Sequence, residues 1–184
     1  MLFDLKKSKK QLFGNYSSHI ETHNPNALDF VELGDPSSEK KHQGLEAWTA
    51  HNKVVSADYG GPERITYAPF PVSCRDFATK AGIVLIVKPK TALLLRINVH
   101  DNPYNIGNKA KLTKVLISFD GREWKEIGSY RVEGVNTKWD TFIFKIKAED
   151  AKGQRMHVLI DDTENFKLGK YGQSVNWIDV SIKK

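Results

Sequence analysis

Cysteine is almost missing from this chain, and so are the motifs of several common enzyme classes. Cys74 is the single cysteine among 184 residues, so no internal disulfide can form and a thiolate metal site is not expected. The nucleophile-elbow motif G-x-S-x-G, the phosphate-binding P-loop and the dinucleotide-binding G-x-G-x-x-G are also absent. These absences predict a protein without catalytic activity.

Long apolar runs are lacking as well. No run approaches the ~20 apolar residues that a membrane-spanning helix needs, so no membrane span is predicted. The first residues, MLFDLKKSKK, are basic, but no apolar segment follows them as it would in a normal signal peptide. Either the protein is not exported by this route, or it is a segment of a longer exported protein. In the second case it would be extracellular or at the cell surface.

Acidic residues are fewer than basic ones. Lysine and arginine total 28 and aspartate and glutamate total 22, which gives a formal net charge of +6. A basic protein attracts acidic partners in general, including nucleic acid and anionic glycan. Nucleic acid is nevertheless not predicted as a partner, because the lysines are scattered and no aromatic–basic interleaving is present.

A period of two in the apolar residues begins after residue 44. Short alternating runs are bounded by Gly, Pro, Asn or Asp, and no helical stripe separates them. Strands without intervening helices predict an antiparallel all-β domain, a sandwich or a barrel, at residues 44–184. Residues 1–43 are predicted to be an irregular N-terminal arm. The predicted strands are Leu45–His51, Arg64–Pro69, Ile83–Val87, Ala92–His100, Leu112–Phe119, Glu123–Val132, Thr141–Lys147, Arg155–Asp161 and Val175–Lys183.

Alternation along these strands predicts which side chains face the core. In the strand Ala92–His100 the four aliphatic residues share one face, and Arg96, Asn98 and His100 share the other. In the last strand the core face is expected to carry Ile178, Val180 and Ile182. Trp177 then lies on the opposite, polar side, where we expect it to be exposed. The alternative is that the N-terminal arm, with Leu12 and Phe13, covers it.

The stretch KVLISFDGREWKEIG, residues 114–128, predicts a hairpin. Asp120-Gly121 lies between two alternating runs, and Gly121 supplies the positive φ that a tight turn needs. A two-residue loop would pair Ile117 with Trp124, whereas a three-residue loop with a bulge would pair Leu116 with Trp124. The sequence leaves this register open. Trp124 is predicted to be at least half buried, as part of the core.

Several short motifs resemble the galactose-binding-like jelly-roll superfamily. The hairpin ISFDGREWKEIG is similar to that of coagulation-factor type C (discoidin) domains. SVNWIDVSI resembles the last strand of related carbohydrate-binding modules, and GLEAW resembles their start. AGIVLIVKPKTALLLRINV looks like their central strand pair. Over residues 44–184 the resemblance implies an antiparallel jelly-roll β-sandwich of about eight strands.

The same resemblance implies a structural calcium ion between the start of the domain and its last strand. Glu46 and Asn176 stand at the matching positions and are the predicted ligands. Asn176 stands where such modules often have aspartate, and calcium prefers several oxygen ligands with carboxylates among them. No other cofactor is predicted.

Sugar-binding sites combine an aromatic face with a few polar side chains that contact hydroxyl groups. Aromatic residues beside Gly, Asn or Pro lie in segments that are expected to be exposed loops. The predicted ligand-binding residues are Trp177, Tyr59, Tyr104, Tyr171, Arg96 and His100.

The resulting prediction is a non-catalytic carbohydrate-binding module for a glycan or polysaccharide. The positive charge favours an acidic glycan. Such a module is often an accessory domain of a carbohydrate-active enzyme. The alternative is a protein–protein interaction or structural assembly module, of a surface or phage type, with the same fold. The least favoured alternative is a β-sandwich lyase or hydrolase.

Overall fold

The computed structural model describes residues 23–44, 53–54, 73–77, 79–101, 109–131, 139–168 and 173–184. These residues contain ten strands and two helices, and neither helix is long and apolar enough to cross a membrane. The strands are β1 (Asp29–Glu32), β2 (Lys53–Val54), β3 (Ser73–Phe77), β4 (Lys80–Ile86), β5 (Leu93–Asp101), β6 (Thr113–Ser118), β7 (Lys125–Tyr130), β8 (Trp139–Ile146), β9 (Arg155–Asp161) and β10 (Gln173–Ile182). The helices are α1 (Pro36–Glu39) and α2 (Thr163–Lys167). The predicted strands Leu45–His51 and Arg64–Pro69 lie outside the described residues.

The strands form two antiparallel sheets. The first has the order β2-β3-β10-β5-β8, with β1 also paired to β10, and the second has the order β4-β9-β6-β7. From β3 to β10 the chain changes sheet at every connection except the β6–β7 hairpin. Four of these eight strands therefore lie in each sheet, which is the arrangement of a jelly roll. The predicted all-β jelly-roll sandwich of about eight strands is confirmed.

The hydrophobic core fills the space between the two sheets. The alternating aliphatic residues of β5, namely Leu93, Leu95, Ile97 and Val99, are all fully buried, as the sequence predicted. Burying each such side chain contributes roughly 1.5–3 kcal/mol. The aliphatic stripes on the facing strands complete this core.

The last strand, β10, departs from the predicted alternation. A bulge between Val175 and Trp177 shifts its register against β5, and every residue from Gln173 to Ser181 is buried. Ile182, predicted to lie in the core, is 41% exposed at the end of the strand. Trp177, predicted to be exposed, retains 3% exposure, so that prediction is wrong. Alternation assigns a side chain to a face of the sheet, but it does not show whether other groups cover that face.

Part of the predicted N-terminal arm joins the two sheets. β1 pairs with β10 and places Val31 in the core. Two residues of the same segment contact the second sheet. Asp29 Oδ2 accepts a hydrogen bond of 2.7 Å from the Ile86 N–H, and Gln43 forms a bridge with Val84. We call residues 29–43 the clasp. The domain boundary between residues 43 and 44 remains a prediction. The clasp precedes this boundary in the sequence, but it pairs with strands of the sandwich.

His42 and Asp29 form an ion pair within the clasp. His42 Nε2 lies 3.3 Å from Asp29 Oδ1, and Nδ1 lies 2.9 Å from the Ser38 carbonyl oxygen. Burial acts to lower the pKa of His42, but the hydrogen bonds to Asp29 and Ser38 outweigh it and raise the pKa above 6.5. Burial acts to raise the pKa of Asp29, but His42 and the Ile86 N–H together lower it below 3.8.

These shifts predict a pH dependence of stability. The contribution of His42 is complete below its unfolded-state pKa of 6.5 and is lost as the pH rises through the higher folded-state value. The contribution of Asp29 is present above pH 3.8 and is lost as the pH falls through the lower folded-state value. Urea unfolding of the wild type and of His42→Asn, between about pH 5 and pH 8, isolates the histidine. We expect the wild type to lose more stability than the variant over this range, and an equal loss would contradict the assignment.

The β6–β7 hairpin has a longer loop than either predicted register. Leu116 pairs with Glu126 and Ile117 with Lys125, so residues 119–124 form the loop and both predicted pairings of Trp124 are wrong. Asp120 holds the loop closed, since its Oδ1 accepts hydrogen bonds from the backbone N–H groups of residues 122 and 123 at 2.8 and 2.9 Å. A local carboxylate turn of this kind replaces the tighter turn that Asp-Gly usually indicates.

Gly121 carries the predicted positive φ, at 73°. We expect Gly121→Ala to lower the free energy of unfolding by about 1–2 kcal/mol, because an L-residue is strained in this region. A Cβ there would meet His157 Cε1 at 3.6 Å, which is an ordinary contact. The expected loss of stability therefore comes from backbone strain and not from a steric clash. Gly153→Ala is the matched control, since Gly153 has no positive φ and its Cβ would also meet a ring carbon at 3.6 Å. Equal unfolding midpoints in urea for the two variants would show that the strain is absent.

Candidate functional site

The outer face of the first sheet carries the predicted polar ladder. Arg96 and Asn98 of β5 lie beside Asp179 and Trp177 of β10, respectively. The structure thus brings together two of the predicted ligand-binding residues, Arg96 and Trp177. The side chain of His100, at the end of the same strand, lies outside what the structure describes.

An ion pair between β5 and β10 lies on this face. Arg96 donates from Nε to Asp179 Oδ1 at 3.0 Å and from Nη2 to Asp179 Oδ2 at 2.5 Å. Asp179 is fully buried, and its Oδ2 also accepts a hydrogen bond of 2.8 Å from the Asn24 N–H. The guanidinium carbon of Arg96 lies 5.0 Å from the centroid of the Trp177 ring, within cation–π range. The indole of Trp177 is therefore buried against Arg96 and offers no exposed surface on which a ligand could stack.

Asn98 completes the polar contacts of this face. Its Nδ2 donates to Thr141 Oγ1 at 3.1 Å, and among the described contacts its buried Oδ1 has no hydrogen-bond partner. Ile143, which neighbours Arg96 on β8, is 59% exposed. The face is thus open at Ile143 of β8 but filled by paired polar groups at β10.

The remaining predicted site residues cannot be placed together. Tyr59, Tyr104, Tyr171 and the predicted calcium ligand Glu46 lie outside the described residues. Asn176 is buried in β10, and its backbone carbonyl accepts a hydrogen bond of 2.7 Å from the Leu33 N–H. Among the described residues, no group of three or more His, Cys, Asp or Glu side chains is placed to hold a metal ion. The calcium site remains a prediction.

A cleft lies beside the β6–β7 hairpin, at one end of the sandwich. It has a volume of about 350 Å³, near the lower end of the ~300–1,000 Å³ typical of ligand pockets. One wall is the end of β6 and the hairpin loop, and the other is the connection between β8 and β9. Its lining residues are Ile117, Ser118, Phe119, Asp120, Glu123, Trp124, Lys125, Asp150, Lys152 and Gly153. We call it the hairpin cleft.

Trp124 supplies an aromatic surface to the hairpin cleft. It is 40% exposed, so the prediction that it is at least half buried is confirmed, but it is not a core residue. Its ring meets His157 of β9 edge to face, with centroids 6.4 Å apart and planes at 82°. This contact supports the indole on one side and leaves part of it open to the cleft. Sequence reasoning placed Trp124 in the core; its position at the end of the six-residue loop, outside the sheet, is the feature that exposes it.

Charged groups of both signs line the hairpin cleft. Hydrogen bonds from the backbone N–H groups of residues 122 and 123 and from the Ser118 hydroxyl lower the pKa of Asp120 to about 2. Lys125 Nζ lies 2.6 Å from Asp150 Oδ1, which pairs these two groups. Glu123 and Lys152 have no ion pair among the described contacts and are both exposed.

Two of the three carboxylates in the cleft, Asp120 and Asp150, are poorly suited to act as a general acid. A general acid near neutral pH needs a raised pKa, and the pKa of Asp120 is shifted the other way. Asp150 is engaged by Lys125. An aromatic surface with carboxylate and ammonium groups at its rim instead offers stacking and hydrogen bonds to a polar, ring-shaped ligand.

No protein-family model matches the sequence, and no curated protein matches it. Solved structures that resemble the fold include carbohydrate-binding modules. One is the CBM22-1 xylan-binding domain of Paenibacillus barcinonensis Xyn10C, with 15% identity, a TM-score of 0.48, and coverage of 89% of this chain and 99% of that one. Another is the module CBM6cm-2 of Cellvibrio mixtus lichenase 5A, in complex with cellotriose, with 11% identity, a TM-score of 0.45, and coverage of 86% and 99%.

A larger protein also resembles this fold. It is the family GH115 4-O-methyl-α-glucuronidase BtGH115A, with 10% identity and a TM-score of 0.48 over 91% of this chain. This chain spans only 19% of the length of that enzyme. The strand order of the described residues is itself that of a jelly roll.

Proposed function

We propose that the protein is a non-catalytic carbohydrate-binding module and that the hairpin cleft is its binding site. The observation that carries the proposal is the position of Trp124, a half-buried indole that is held by His157 and lines an open cleft. A sugar ring stacked on a fixed indole removes C–H surface from water at little cost in side-chain entropy.

The rim of the hairpin cleft supports the same proposal. Carboxylates accept hydrogen bonds from sugar hydroxyl groups, and ammonium groups donate hydrogen bonds to sugar oxygens. Asp120 is ionised above about pH 2 and is fixed by backbone hydrogen bonds, so its position does not have to be ordered on binding. A few fixed polar groups around an apolar surface are the usual composition of a ligand site.

Replacing Trp124 by alanine tests the proposal. We expect the affinity for the glycan to fall by at least about tenfold, or about 1.4 kcal/mol, because the stacking surface is removed. Isothermal titration or affinity electrophoresis measures this loss, starting with cellotriose and soluble xylan as probes. Circular dichroism of the variant checks that the fold is kept.

Phe166→Ala is the matched control. Phe166 is an aromatic residue of α2 with 46% exposure, outside the lining of the hairpin cleft. We expect this variant to bind like the wild type. Equal losses in both variants, or unchanged binding by Trp124→Ala, would overturn the assignment of the site. Absence of binding by the wild type across a broad glycan array would overturn the function and favour the protein-interaction alternative.

A further inference from the structure

We infer that the hairpin cleft selects uncharged glycan and disfavours uronic-acid or sulfated glycan, an inference that rests on the function proposed above. The net charge of +6 alone indicates the opposite preference. What decides specificity within a site, however, is the charge that a bound ligand meets at close range.

The groups that line the cleft carry more negative than positive charge. Three carboxylates and two ammonium groups contribute to the lining: Asp120, Glu123 and Asp150, with Lys125 and Lys152. The basic excess of the chain is therefore located elsewhere on the molecule. The charges of the lining residues thus sum to the opposite sign from the net charge of the protein.

One of the two ammonium groups of the cleft is already paired within the protein. Lys125 is paired with Asp150 at 2.6 Å, so its charge is largely compensated before any ligand binds. Lys152 is left to attract an anion, whereas Asp120 and Glu123 oppose one. The pKa of Asp120, at about 2, keeps this carboxylate ionised at every pH used for binding.

Hydroxyl groups match this set of charges better than a carboxylate or sulfate does. A hydroxyl group donates to a carboxylate oxygen and accepts from an ammonium group, so it satisfies both kinds of partner. An anionic substituent can only accept, and near Asp120 or Glu123 it meets like charge, which suppresses binding of the wrong ligand. The chemical class that fits the cleft is a neutral polysaccharide or oligosaccharide.

Matched pairs of soluble polymers test this inference. Methyl-esterified polygalacturonate is compared with the free acid, and hydroxyethyl cellulose with carboxymethyl cellulose, so that charge changes on a constant backbone. Each polymer is titrated against the wild type and against Trp124→Ala, and only the part of the affinity that Trp124→Ala removes is compared. This subtraction discards long-range attraction of polyanions by the basic surface, which does not need the indole.

We expect the Trp124-dependent affinity to be about fivefold higher for the uncharged member of a pair, equivalent to about 1 kcal/mol for one unfavourable charge contact in water. The difference should shrink at about 0.5 M salt, where the Debye length is only a few ångströms. Glu123→Gln removes a like charge but keeps a hydrogen-bond acceptor, so it should raise the affinity for the charged member relative to that for the uncharged one and shrink the difference between them. Lys152→Ala removes the unpaired ammonium group, so it should weaken binding of the charged member more than that of the uncharged one and widen the difference between them.

The outcomes separate the inference from the function on which it rests. Trp124-dependent binding that favours the charged member and is lost in Lys152→Ala would overturn the neutral preference alone. Binding that Trp124→Ala does not reduce would overturn the proposed site as well. Failure of every uncharged polymer to bind, with or without binding of the charged ones, would also overturn the inference.

Discussion

Trp177→Ala is expected to lower the free energy of unfolding by about 3–5 kcal/mol, the range measured for truncation of buried tryptophan. Trp177 retains 3% exposure on β10, the strand that pairs with β5 on one edge and with β3 and β1 on the other. Its removal would leave a cavity under Arg96 and expose the centre of the first sheet to water. Urea unfolding followed by circular dichroism measures the loss.

Trp124→Ala is the control for this effect, since the same residue type is removed from a site that is 40% exposed. We expect it to cost at most about 1 kcal/mol, as is usual for substitutions near the surface. Losses of the same size in the two variants would contradict the burial of Trp177.

The Arg96–Asp179 pair gives the second large effect. Asp179 is fully buried and the side chain of Arg96 is 19% exposed, so removing one partner would leave the other as a largely buried, unpaired charge. We expect Arg96→Met or Asp179→Leu alone to destabilise the protein by about 3–5 kcal/mol, because the remaining charge is left uncompensated.

The double variant Arg96→Met/Asp179→Leu distinguishes the pair from two independent contacts. Removing both charges also removes the desolvation penalty of the pair, and the Asn24 N–H then loses its acceptor at a cost of about 1–3 kcal/mol. We expect the double variant to be more stable than either single variant. Additive losses in a double-mutant cycle would show that the two side chains are not coupled.

Alternation was a sufficient guide to the residues that face the second sheet. It located the four core residues of β5, although Asn98 on the opposite face of that strand is buried as well. It failed on β10, where Asp179 and Trp177 are buried on the face opposite the core. Their burial depends on Arg96 and on the Asn24 backbone, which are distant in sequence. No local pattern contains that information.

The candidate site was missed for a related reason. The strand on either side of Asp120-Gly121 was predictable, but the loop length depends on the hydrogen bonds that Asp120 accepts and on the pairing of Ile117 with Lys125. A shorter loop would have placed Trp124 within the sheet. The opposite wall of the cleft, around Asp150, lies between β8 and β9 and is joined to the hairpin only in the folded protein.

A titration followed by the indole N–H signals in a two-dimensional ¹H–¹⁵N spectrum tests the central claim most directly. The chain has four tryptophans, and Trp124→Phe and Trp177→Phe assign the two signals that matter. With cellotriose or xylohexaose added, the account predicts that the Trp124 signal shifts and saturates while the Trp177 signal stays in place. Movement of the Trp177 signal with an unmoved Trp124 signal would place the ligand on the outer face of the first sheet and contradict the assignment of the hairpin cleft.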